Sequence, residues 1–207
     1  MSNQRPAWRV NSGMMSRLTG TFRAQNLPTS ESAFFNAPAL DICDFQQTRN
    51  LIFFSIAEAF SSQTPISLLV LTVDEFEAFE RNYGRDAAEK ARGFIEETLC
   101  HHRELIFGSE SGVVIGNYVE NRYLFLLPGI TGAIAEEYAE YLRKAIVATE
   151  FDWNYRALCF TVSIGIAYKP GHIGDQDLLI LQADQACDQV IACGGNRVAV
   201  AKFTKRP

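Results

Sequence analysis

The residues Val119-Glu120-Asn121-Arg122-Tyr123 lie between two apolar runs, Gly112-Val113-Val114-Ile115-Gly116 and Leu124-Phe125-Leu126-Leu127-Pro128. Two strand-length runs joined by so short a polar turn read as a β-hairpin with its tip at Glu120-Asn121. The hairpin is the strongest constraint in the chain, because it commits the middle of the sequence to an antiparallel sheet.

The flanking segments alternate in period. Residues 46–61 place Leu51, Ile52, Phe54, Ile56, Ala57 and Phe60 at helical spacing, with a wide face expected to be buried. Ile66–Val73 reads as a buried strand, and Glu75–Arg81 as the start of a helix interrupted at Tyr83-Gly84. Asp86–His102 reads as a second helix with Ala88, Ala91, Phe94, Ile95 and Leu99 inward. Leu105–Gly108 and Gly112–Tyr118 are expected as strands leading into the hairpin. Gly132–Thr149 is an amphipathic helix with Ile134, Tyr138, Tyr141, Leu142, Ala145 and Ile146 on its apolar face. Ala157–Tyr168 alternates as one strand, and Asp177–Cys193 is a helix stopped by Gly194-Gly195, glycine supplying the left-handed cap. Val198–Phe203 is the last strand. Strands alternating with helices around a hairpin imply one sheet with helices packed on it.

The length of 207 residues suits one domain with an appendage. At 47% hydrophobic and 21% charged the chain is an ordinary globular one, and a net charge of −5 gives no reason to expect nucleic acid or membrane. The charge is unevenly spread. Residues 1–40 hold Arg5, Arg9, Arg17 and Arg23 against Glu31 alone, a net of +3, which leaves 15 basic and 23 acidic residues on 41–207, a net of −8. The first 38 residues lack sustained periodicity and read as a basic flexible arm, with a short helix around Met14–Phe22 and apolar anchors at Trp8, Met14, Met15, Leu18 and Phe22. Five scattered cysteines without a CxxC pair argue for reduced thiols and against a zinc site. There is no secretory h-region, and stretches such as Ile66–Leu71 are too short to span a bilayer, so the expected compartment is the cytoplasm.

Taken in order and spacing, the hairpin, Thr161-Val162-Ser163-Ile164-Gly165-Ile166-Ala167, Ala183-Asp184-Gln185-Ala186 and Gly194-Gly195-Asn196-Arg197-Val198 resemble the GGDEF family, the diguanylate cyclases that join two GTP molecules into cyclic di-GMP. The resemblance runs from Asp41 to Phe203. It implies an α/β (α+β) fold, the ferredoxin-like palm of nucleotide cyclases, with a mainly antiparallel sheet of about five strands flanked by helices and a β-hairpin. The implied domains are the arm, 1–40, and a degenerate GGDEF-like domain, 41–207.

The resemblance also implies which chemistry is absent. Joining two nucleoside triphosphates calls for divalent metals held by close carboxylates, and for backbone that approaches phosphate closely. The family's signature positions fall on Val119, Glu120, Asn121, Arg122 and Tyr123, so both glycines and both acids are replaced. The leading acid of the first-strand motif Leu71-Thr72-Val73-Asp74-Glu75-Phe76 falls on Thr72, and Asp74 matches the second acid, which is usually not the metal carboxylate. The guanine-binding positions fall on Glu80 and Glu89, with Ala88 in place of a glycine. Glutamate can still accept from guanine N1 and N2. The phosphate-binding cations fall on Ile191 and Gly195, a severe loss for polyphosphate binding. The family's inhibitory Arg-x-x-Asp site matches Glu110-Ser111-Gly112-Val113, which has neither residue.

Other polar residues have simpler readings. Arg122 is expected as an exposed hairpin arginine, and Glu120-Asn121 as turn chemistry. His101-His102 are expected to complement a helix C-terminus. Ser163 has no foreseeable His or Asp partner, and Glu136, Glu137 and Glu140 form a solvated face. For the arm, a disordered tail and a docking segment both stay open, through Arg5, Trp8, Arg9, Arg17, Phe22 and Arg23. The expectation is a non-enzymatic domain without metal or cofactor, acting as a protein-interaction module in bacterial cyclic di-GMP signalling. The alternative is a receptor that binds cyclic di-GMP or GTP without turnover. The expected partner is a signalling enzyme, an effector or a biosynthetic complex, with a homodimer left open.

Overall fold

Ile66–Val73 forms the strand around which the rest of the chain is built. The computed structural model describes residues 42–108, 111–119, 121–169 and 176–201. The expected arm, its helix around Met14–Phe22, Glu110, Glu120 and Phe203 lie outside the described residues. In chain order the elements are α1 (Phe45–Ser61), β1 (Ile66–Val73), α2 (Phe76–Tyr83), α3 (Arg85–Phe107), β2 (Val114–Val119) and β3 (Arg122–Pro128). They continue with α4 (Gly132–Val147), β4 (Glu150–Trp153), β5 (Arg156–Cys159), β6 (Val162–Lys169), α5 (Gln176–Ala192) and β7 (Val198–Val200).

Five strands make one sheet in the order β2-β3-β1-β6-β7, and β4 with β5 form a separate hairpin. β1 runs antiparallel to β3 and β6, while β6 and β7 are parallel. Both faces are covered, which is why β1 is an apolar run rather than an alternating strand. Leu69, Leu71 and Val73 enter a core with Ala91, Ile95 and Leu99 of α3 and Tyr138 and Leu142 of α4. Leu68 and Val70 enter a smaller core with Ile52 of α1 and Ala183 and Cys187 of α5. A Cβ on Gly165 of β6 would lie 2.0 Å from the Ala183 carbonyl oxygen, so α5 rests directly on strand backbone.

The structure departs from the expected elements at several places. Leu105–Gly108 closes α3 rather than forming a strand, because the inward spacing Leu99, His102, Arg103, Ile106 continues until Gly108 at φ 82°. Ala157–Tyr168 is two strands broken at Phe160-Thr161. Phe160 turns into an aromatic cluster with Phe76, Phe79 and Phe151, sending β5 to β4 and β6 to β1. On α1 the buried residues are Thr48, Ile52, Ser55 and Ala59, while the expected core residues Phe54 and Phe60 are exposed. α1 approaches β2 so closely that a Cβ on Gly116 would sit 1.9 Å from Thr48 Oγ1, and only small side chains fit there.

The histidine expectation also needs correction. α3 runs five residues beyond His102, whose ring is 1% exposed with Nδ1 2.6 Å from the Tyr141 hydroxyl. Burial, aided by the neighbouring His101, lowers its pKa from 6.5 to about 4, so it packs as neutral imidazole. Cys43 and Cys187 are buried as small hydrophobes, and Cys159 and Cys193 are exposed.

Candidate functional site

β1 and β3 carry Thr72 and Arg122 as a directly opposed pair, with Ser163 of β6 on the other side of Thr72. Strand alternation puts Thr72 and Arg122 on the sheet face that α5 covers. The Thr72 hydroxyl lies 3.5 Å from the Cys187 sulfur, and burial raises the pKa of that thiol. Arg122 is not the solvated hairpin arginine that the sequence suggests. Its guanidinium donates to Asp184 and, at 2.6 Å, to Asp188, one turn apart on α5. The Arg122 side chain is only 20% exposed. Partial burial opposes its charge, but hydrogen bonds and the field of Asp188 and Asp184 overcome this and raise its pKa above the ordinary value.

The rest of the hairpin tip is tied to α3. Val119 pairs with Arg122 across a two-residue turn, after an irregularity in register at Asn117–Val119. Asn121 takes the left-handed conformation at φ 60°, as expected of an Asn in this turn, and accepts from Arg92 at 3.2 Å. Tyr123 is buried on the α3 side and donates to Glu96 at 3.2 Å, its pKa raised first by burial and then by Glu96. Val119 is half exposed.

At the end of β1, Asp74 binds three donors. Thr161 and Ser163 donate their hydroxyls at 2.7 and 2.5 Å, and the Asn196 backbone N–H donates at 2.9 Å. Ser163 therefore has a carboxylate partner that the sequence did not reveal. No histidine belongs to this group, and the arrangement braces the strand against the Gly194-Gly195 turn. Gly195 has φ 71°, and a Cβ there would meet the Asp74 carboxylate at 2.9 Å. Beside this brace lies a groove of about 610 Å³ walled by Thr72, Asp74, Glu75, Phe79, Ile191 and Gly195 among others.

The structure thus gathers Thr72, Ile191 and Gly195 around one groove, while Glu80 on α2 and Glu89 on α3 do not line it. The donors present do not suit a divalent cation. Thr72 offers an uncharged hydroxyl turned to a thiol, Asn121 is engaged by Arg92, and both Asp74 oxygens already accept. Arg122 adds a positive charge beside them. Among the described residues no cluster of three or more His, Cys, Asp or Glu side chains has metal-binding geometry. Sequence reasoning missed Asp184 and Asp188; their i, i+4 spacing on one helix face was the available signal.

A five-stranded, mainly antiparallel sheet flanked by helices, with this hairpin beside β1, is the nucleotide-cyclase palm. Residues 48–197 match the family described as diguanylate cyclase, GGDEF domain, and the chain belongs to that family. Over 142 residues it is 21% identical to the probable diguanylate cyclase DgcF of Escherichia coli K12, a match covering 67% of this chain and 43% of DgcF. The chain therefore spans less than half the length of that relative. The GGDEF domain of DgcB from Caulobacter crescentus, solved with c-di-GMP, superposes at a TM-score of 0.71 with 19% identity, covering 80% of this chain and 94% of DgcB's. The diguanylate cyclase SiaD of Pseudomonas aeruginosa, solved with its activator SiaC, gives 0.71 with 17% identity over 92% and 70% of the two chains. Among the described residues no helix is long and apolar enough to cross a membrane.

Proposed function

We propose that this GGDEF-family domain does not make cyclic di-GMP and serves as a protein-interaction or regulatory module in cyclic di-GMP signalling. The observation that carries the reading is the Arg122 clamp. Where the family's signature places its second acid, this chain has a cation whose guanidinium spans Asp184 and Asp188. A cyclase needs that end of the hairpin free to meet metal and triphosphate, with negative charge held for Mg²⁺. Here the tip is fastened to α5 through Arg122 and to α3 through Asn121 and Tyr123. Among the described residues the groove below it is walled by Asp74 and Glu75 without a lysine or arginine, which disfavours a polyphosphate. A palm that keeps its core and fastens its catalytic hairpin retains surfaces for a partner. SiaD is a family structure solved with a partner protein.

The test is incubation of the purified 207-residue chain with GTP and Mg²⁺ or Mn²⁺, with chromatographic detection of product. The expected outcome is no cyclic di-GMP, and sustained turnover would overturn the proposal. Calorimetry with cyclic di-GMP separates the module from a nucleotide receptor, and heat of binding would favour the receptor.

A further inference from the structure

α2 turns one stripe towards the groove beside the end of β1: Glu75, which precedes its first turn, then Ala78, Phe79 and Asn82. Their spacing of three, four and seven residues puts them on one helix face. Ile191 and the Gly194-Gly195 turn also line the groove. Phe160 joins Phe79 as an aromatic wall, the ring centroids 5.2 Å apart. At about 610 Å³ the groove has the volume of a site for a small ligand or a long side chain.

Its charge is one-sided. Asp74 and Glu75 line it. Among the described residues no lysine or arginine does, and neither carboxylate has an ion-pair partner. Arg122 and Arg143 lie outside the lining, and each is held by carboxylates of its own, Asp184 with Asp188 and Glu140. Asp74 receives three neutral donors, which fill three of the four acceptor sites of a carboxylate and leave its charge in place. Glu75 is exposed and its side chain caps nothing, so its carboxylate can meet a ligand.

Negative charge beside aromatic faces calls for a cation, and the groove selects its kind. Mg²⁺ needs several anionic oxygens close together, and among the described residues no three such side chains gather. A guanidinium is planar and weakly hydrated, and it stacks on an aromatic face while donating to a carboxylate at its edge. At the rim Ile191 is 40% exposed. It offers apolar contact to the residues flanking an arginine, contact that a free guanidine has no chain to use.

We propose that this groove docks an arginine side chain presented by a partner protein, with Glu75 as its ion-pair partner and Phe79 as its stacking face. The proposal rests on the reading that the groove no longer takes a triphosphate, and it names the chemistry of the partner that the module recognises.

The probe is the peptide acetyl-Leu-Arg-Leu-amide, titrated through the millimolar range into the ¹⁵N-labelled 207-residue chain and followed by amide chemical shifts. Saturable shifts are expected at residues 75–82, 159–161 and 194–195. The same peptide with citrulline, which keeps the shape and loses the charge, gives none. Glu75→Lys abolishes the shifts, and Phe79→Leu weakens binding about threefold. Agmatine, a guanidine without the flanking residues, binds several-fold more weakly than the peptide. No saturable shift, shifts elsewhere on the chain, or equal binding of the citrulline peptide overturns the proposal. Agmatine binding as tightly as the peptide also overturns it and gives the groove to a free guanidine. Cyclic di-GMP formed from GTP by a chain that shows these shifts overturns only the reading of function. Absence of both product and shifts overturns only the docking site.

Discussion

Replacing Arg122 with Met keeps the aliphatic stem and removes the charge that ties β3 to α5. Both Arg122 and Asp184 are mostly covered, at 20% and 25% exposure, whereas Asp188 is 56% exposed. A charge-assisted hydrogen bond in a covered setting contributes about 1.5–3 kcal/mol, and an exposed ion pair about 0.2–1 kcal/mol. Taking the low end for partial solvation, the Asp184 arm contributes about 1.5 kcal/mol and the Asp188 arm about 0.5 kcal/mol. The expected loss is therefore about 2 kcal/mol, and for a chain of this size Tm falls by about 4–8 °C. Urea melts of Arg122→Met, Asp184→Ala and the double variant form a cycle with an expected coupling of about 1 kcal/mol. Single effects that add to within about 0.3 kcal/mol would show that the two side chains do not act together, and would refute the clamp.

His102 predicts an acid-sensitive stability. Its pKa is held near 4 in the folded state against an ordinary 6.5, so the unfolded chain takes up a proton that the folded protein refuses. The contribution is complete above pH 6.5 and is lost as pH falls towards 4, by roughly 3 kcal/mol. His102→Gln should flatten that part of the Tm profile, and an unchanged slope would refute the assignment. Gly165→Ala is expected to destabilise by about 3 kcal/mol or more, since its Cβ would meet α5 backbone at 2.0 and 2.3 Å. Gly93→Ala, on α3 with nothing within 4 Å, should instead gain about 0.5–1 kcal/mol. Equal melts for the two variants would contradict the packing described. Rebuilding the family signature by Val119→Gly, Glu120→Gly, Asn121→Asp, Arg122→Glu and Tyr123→Phe together should lower Tm and yield no cyclic di-GMP. The new carboxylate on β3 would face Asp184 and Asp188, and product formation would show that Thr72, Ile191 and Gly195 do not matter.

Most of the framework was legible because its signals are local. The β1 run, the hairpin and the Gly194-Gly195 stop each depend on neighbours a few residues away, and each appears where the sequence places it. The errors arise where a distant contact overrides local periodicity. Phe54 and Phe60 have helical spacing, yet the approach of Thr48 to Gly116 decides which face of α1 is inward. Alternation passes smoothly through Phe160, yet an aromatic cluster from α2 and β4 breaks the strand.

The site divides in the same way, and Gly195 shows why. In the sequence it reads as a helix stop and as the position where the family resemblance expects a phosphate-binding cation. In the fold it is a left-handed residue whose Cβ position lies against a carboxylate braced by Thr161, Ser163 and the Asn196 N–H. Adding a side chain there calls for strained backbone and for Asp74 to move away from its three donors. Arg122 stands in the same relation to Asp184 and Asp188, partners 62 and 66 residues away. Arg122 is itself part of a set of polar contacts, and Gly195 lies directly against one. Changing either residue towards the family signature is therefore expected to disturb those contacts first.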